Sequence, residues 1–74
     1  PLNGLIFVIT GTVAGVTRSD ITTKVIDNGG KISSTISSKT NFLLAGENPG
    51  SKIDKAKKLN IPIITYSNLE NMIG

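Results

Sequence analysis

The chain has 74 residues with a formal charge of +3, one small domain near the lower size at which a single hydrophobic core suffices. It contains no cysteine and no histidine, which excludes disulfides, thiolate or imidazole metal sites and the commonest general base. Its five carboxylates, Asp20, Asp27, Glu47, Asp54 and Glu70, are spread thinly, and together these facts argue against an autonomous hydrolase.

The first element in chain order is LIFVIT, Leu5–Thr10. A continuous apolar run rich in β-branched residues suits a strand buried on both faces of a parallel sheet. A loop follows, and Thr17-Arg18-Ser19-Asp20 reads as a capping box that opens a helix. Ile21, Val25 and Ile26 would give that helix one buried face, and Gly29-Gly30 ends it. Lys31–Thr35 is a short, more polar strand that belongs at an edge, and Asn41–Ala45 is a second strongly buried strand.

The segment AGENPGSK, Ala45–Lys52, then leads into a second capping-box pattern over Ser51–Asp54. Ile53, Ala56 and Leu59 are expected to face inward, with Lys55, Lys57 and Lys58 solvated and partly paired with Asp54. Ile61–Ile64 is a fourth strand, demoted by Pro62 to an edge or a strand start. Thr65 or Ser67 caps a last helix whose Leu69, Met72 and Ile73 pack inward. Strands alternating with helices in the order βαββαβα predict a mostly parallel sheet with helices on both faces. Nothing approaches the roughly 20 apolar residues of a membrane span, and no signal peptide is visible. The opening Pro1, without a methionine, suggests a module cut from a longer chain.

In an open α/β sheet, ligands bind beyond the carboxyl ends of the strands. The candidates there are Thr10-Gly11 and the Gly46–Lys52 loop, which adjacent parallel strands would bring together. Thr10 offers a hydroxyl, Gly11 a backbone N–H unobstructed by a Cβ, and Lys52 an ammonium. Arg18 offers a second cation from the first turn of the first helix. A cation at a helix N-terminus opposes the dipole by a few tenths to about 1 kcal/mol, which an anion between the two would offset. The rival reading of TGT after a strand is a plain turn, and Lys24, Lys31 and Lys39 read as ordinary surface residues. Phe7, Phe42 and Tyr66 read as packing residues rather than a base-stacking platform.

A nucleotide-binding loop is excluded. Gly46 and Gly50 are one residue too close for a P-loop, Ser51 precedes Lys52 instead of following it, and no strand ends in an acidic magnesium ligand. A site here is sized for one phosphate.

With these residues in view, the chain resembles a BRCT domain over nearly its whole length, 1–74. FVITGT, TRSD, NGGKIS and KTNFLLAGENPGSK stand in family order, and the last block is the most specific. Within the family it is most similar to the C-terminal BRCT domain of bacterial-type NAD-dependent DNA ligases. The BRCT domain of the replication factor C large subunit is the alternative. The resemblance implies a four-stranded parallel sheet in order 2-1-3-4, flanked by three helices. It implies a phosphate pocket at Thr10, Gly11 and Lys52, joined by Arg18 in DNA-binding relatives. Lys55 and the lysines near it are expected, from their charge alone, to add diffuse attraction to a duplex. The implied role is non-catalytic engagement of nicked or 5′-phosphorylated DNA. Neighbouring domains of the parent enzyme or a phosphorylated protein are further partners, and no membrane is involved. No cofactor is implied in this domain, with NAD, zinc and magnesium serving the parent ligase elsewhere. The location implied is the bacterial nucleoid for a ligase and the nucleus for replication factor C. Many relatives carry a large aromatic where this chain has Leu69, which implies a more loosely held last helix.

Overall fold

The structure, a computed structural model, describes residues 2–74. Pro1, on which the expectation of an excised module rests, lies outside the described residues. The elements are β1 (Ile6–Thr10), α1 (Arg18–Asp27), β2 (Lys31–Ile32), β3 (Phe42–Ala45), α2 (Lys52–Lys58), β4 (Ile63–Ile64) and α3 (Tyr66–Ile73). The four strands form one all-parallel sheet in the order β2-β1-β3-β4, as the resemblance implies.

The sheet is buried on both faces, which explains its continuous apolar strands. Side chains alternate across a strand, so Phe7 and Ile9 of β1 join Leu44 and Ile64 in one cluster with Ile21 and Val25 of α1 and Leu69 of α3. Val8 and Leu43 point the other way, into a second cluster with Ile36, Ala56 and Ile61, flanked by Ile53. Helices α1 and α3 therefore cover one face and α2 covers the other. Phe7 and Phe42, register partners on β1 and β3, stack with ring centroids 5.3 Å apart. They are packing residues, as expected.

The strands are shorter than the sequence suggests, for local reasons. Leu5 donates its N–H to Leu2 in a turn before β1. Ser33 and Thr35 bond to each other through side chain and backbone, an alternative to the ladder that these residue types favour, so β2 stops at Ile32. Pro62 has no N–H to donate, yet its carbonyl accepts from Leu43, and β4 is an edge strand.

Three expectations about the helices are corrected. Ile26 is 55% exposed, because Ile21 and Val25 already share the inward stripe of α1 and the next residue lies about 100° further round. Leu59 is 38% exposed, since it is the C-cap of α2 and lies beyond its last turn. Ser51 does not cap α2 through its side chain: its backbone is already helical at φ −76°, ψ −11°, whereas an N-cap needs an extended backbone to aim its oxygen at N3. By contrast Thr17 and Thr65 are extended, and each completes a capping box, with Asp20 and Asn68 respectively.

Candidate functional site

The loops that leave β1 and β3 are interlocked at the carboxyl end of the sheet. Thr12 donates to the Glu47 carbonyl at 3.0 Å and Glu47 returns a bond to Thr12 at 2.7 Å. The close approach dictates two glycines. Gly11 has φ +77°, and a Cβ there would stand 2.5 Å from the Glu47 carbonyl oxygen. A Cβ at Gly46 would collide with the Thr12 backbone. The sequence expectation that adjacent strands bring these two loops together is realised.

Thr10 ends β1 and is 7% exposed. By strand alternation from Val8 it lies on the α2 side, and its hydroxyl donates to the Pro49 carbonyl in the loop that feeds α2. Lys52 is the first residue of α2, and its ammonium Nζ donates to the Ser34 carbonyl at 3.2 Å. Ser34 follows β2, which lies on the far side of β1 from β3. The Lys52 side chain therefore links the start of α2 to the segment that leaves β2. Among the described residues no acceptor takes the Gly11 N–H. A lysine ammonium carries three donors, of which one goes to Ser34.

Arg18 is placed differently. It opens α1 at the same end of the sheet but on the opposite face from Lys52. It is exposed, and its guanidinium makes no hydrogen bond or ion pair among the described residues. Lys55 lies one turn along α2 from Lys52, exposed, as are Lys57 and Lys58. The anticipated pairing of these lysines with Asp54 is not present among the described residues. The ion pair that does form is Lys24 with Glu70, at 3.7 Å, tying α1 to α3, with the Lys24 ammonium also 5.2 Å from the Tyr66 ring centre. The Tyr66 side chain first, and the Glu70 carboxylate after it, hold the Lys24 ammonium above its ordinary range against a loss of hydration that opposes them.

A hollow of about 270 Å³ also opens at the carboxyl end of the sheet, on the α3 side, between residues 12–14, 45–47 and 65–67. It contains neither Thr10 nor Lys52, and the only charged residue in its wall is Glu47. An anion would be repelled there. Thr10 and Lys52 lie instead on the α2 side of the sheet, the Thr10 hydroxyl bonded to the Pro49 carbonyl and the Lys52 ammonium to the Ser34 carbonyl. Sequence reasoning missed these two carbonyls, because backbone acceptors leave no residue-type signal.

Comparison with known proteins agrees with this architecture. The BRCA1 C Terminus (BRCT) domain family matches residues 1–73. The chain is 46% identical over 72 residues, 97% of its length, to a DNA ligase of Carboxydothermus hydrogenoformans. It is 44% identical over 73 residues, 99% of its length, to a DNA ligase of Solibacter usitatus. To a DNA ligase of Prochlorococcus marinus it is 45% identical over 72 residues, again 97% of its length. The chain spans only 11%, 11% and 10% of these three relatives. With the family matched almost end to end and the sheet in the order the family implies, this chain belongs to the BRCT family.

Proposed function

We propose that this BRCT module is a non-catalytic part of an NAD-dependent DNA ligase and helps it engage nicked or 5′-phosphorylated DNA. The similarity to DNA ligases favours that parent over replication factor C. Adenylation of a lysine from NAD, with the zinc and magnesium of the parent enzyme, belongs on this reading to other domains.

One observation carries the proposal. Thr10 and Lys52 share the α2 side of the sheet, and the Gly11 N–H that follows Thr10 has no acceptor among the described residues. A terminal phosphate seated there would accept from Gly11, from the two remaining Lys52 donors and from the Thr10 hydroxyl. The last contact requires the hydroxyl to leave the Pro49 carbonyl, since it has one proton to donate. Arg18 would reach the phosphate from the opposite face as a second cation, and Lys55 would add longer-range attraction.

A hydrogen bond to a charged group is worth about 1.5–3 kcal/mol, so Lys52→Ala is expected to weaken binding of a 5′-phosphorylated duplex by roughly ten- to a hundredfold. The test is a pair of titrations with duplexes that differ only in carrying a 5′-phosphate or a 5′-hydroxyl. The unsubstituted chain should prefer the phosphate, and Lys52→Ala should erase that preference. Equal affinities for the two duplexes before substitution would exclude a phosphate pocket.

A further inference from the structure

The two faces of the sheet differ sharply in charge. Helix α2 carries Lys52, Lys55, Lys57 and Lys58 against Asp54 alone, a formal +3, equal to the net charge of the whole chain. On the other face α1 and α3 together carry Arg18 and Lys24 against Asp20, Asp27 and Glu70. Of those two cations, Lys24 is already engaged by Glu70 and Tyr66.

Beside α2 lies the loop joining β2 to β3. The Lys52–Ser34 bond ties the loop to the start of the helix, and Ile36 packs in the same cluster as Ala56. Ser34, Ser38 and Lys39 of this loop are exposed. Serine hydroxyls and lysine ammoniums are the donors that proteins use to contact phosphate oxygens without reading sequence.

We propose that the nucleic-acid backbone leading away from the anchored phosphate runs down the α2 side, over the helix and the adjoining loop, and avoids the α1–α3 side. This rests on the reading of the partner as DNA. Lys52, Lys55 and Lys58 stand three residues apart, so each is about 4.5 Å further along the helix axis than the last. One strand of a duplex carries a charge about every 3.4 Å of its axis. The three lysines wind about 60° round the helix at each step and span about 9 Å of its axis. In that length one strand of a duplex places about three phosphates, with Lys52 nearest the terminal one. Lys57 lies to one side of these three, and Asp54 is the one carboxylate on the helix.

The test uses the 74-residue chain and an unphosphorylated duplex, so that the terminal pocket contributes nothing to the readout. Affinity is measured against salt for the unsubstituted chain, for Lys55→Ala/Lys58→Ala and for Lys24→Ala, with thermal melts to verify that each is folded. The salt slope falls by about 0.9 for every phosphate that the protein ceases to neutralise. The double variant is expected to lower it by at least about 0.9, and Lys24→Ala by less than half as much per lysine removed. Any other pattern overturns the proposal, including a chain whose affinity for this duplex is indifferent to salt. The phosphate preference of the preceding section is a separate readout. It should survive in Lys55→Ala/Lys58→Ala, so failure of the pocket and failure of the α2 path are told apart.

Discussion

The α1–α3 face and the α2 face of one sheet are built to different specifications. The first has two helices, each opened by a capping box, a cluster of eight buried residues and an ion pair across the helices. The second has one seven-residue helix with no side-chain cap, five buried residues and the surplus positive charge. What this teaches is a division of labour: stabilising interactions concentrate on one face, and four lysines with a single carboxylate gather on the helix of the other. Lysines crowded on one short helix repel one another, a modest cost that a bound polyanion would relieve.

The largest effect that can break this comparison is Leu69→Ala. Leu69 is fully buried under α3, and emptying such a site costs about 2–5 kcal/mol, a large part of the stability of a domain this small. A denaturant midpoint far below that of the unsubstituted chain is expected. Whatever fraction remains folded in mild conditions should keep its preference for a 5′-phosphate. A midpoint close to the unsubstituted one would mean that α3 contributes little, as the absence of the family aromatic at this position implied.

A smaller effect sharpens the contrast between the helix starts. Thr17→Ala removes a side chain that accepts from the Asp20 N–H at 3.0 Å, and such caps are worth about 1 kcal/mol. Ser51→Ala removes no cap bond and should shift stability by no more than about 0.5 kcal/mol, the range of neutral surface changes. Equal losses in the two variants, read by chemical unfolding, would erase the distinction.

The smallest effect concerns pH. The Thr17 backbone N–H, and after it the Thr17 side chain, hold the Asp20 carboxyl below its usual range. A carboxyl depressed in the folded state binds its proton more readily when unfolded. Its contribution is therefore present above the unfolded value, about 3.9, and disappears as pH falls through the lower folded value. Asp20→Asn should lower stability throughout the neutral region, where the contribution is fully present, flatten the acid limb, and converge with the unsubstituted chain at the lowest pH. An acid limb identical to that of the unsubstituted chain would mean that Asp20 contributes nothing to it.

Much of the fold was legible because its strands are buried on both faces, and LIFVIT and NFLLA have few other uses. The start of α1 was legible for the same kind of reason, since Thr17 and Asp20 carry the chemistry of the cap in their side chains. The start of α2 offers a similar pattern at Ser51 and Asp54, yet it fails there. The difference lies in the backbone: Asn48 and Gly50 have φ of +52° and +74°, and the chain emerges with Ser51 already helical. That Thr10 and Lys52 stand at one end of the sheet follows from parallel adjacency. That they also share a face, while Arg18 opens on the other, depends on which side each crossover passes, and residue types do not encode it directly. The Lys24–Glu70 pair was hidden similarly, because it forms only once α1 and α3 lie side by side.

The most direct measurement is an amide shift map of the chain titrated with inorganic phosphate. Saturable shifts concentrated at Thr10, Gly11 and Lys52 are expected if that edge of the sheet holds the anion. Shifts centred on the hollow beside α3, or none at any residue, would contradict it.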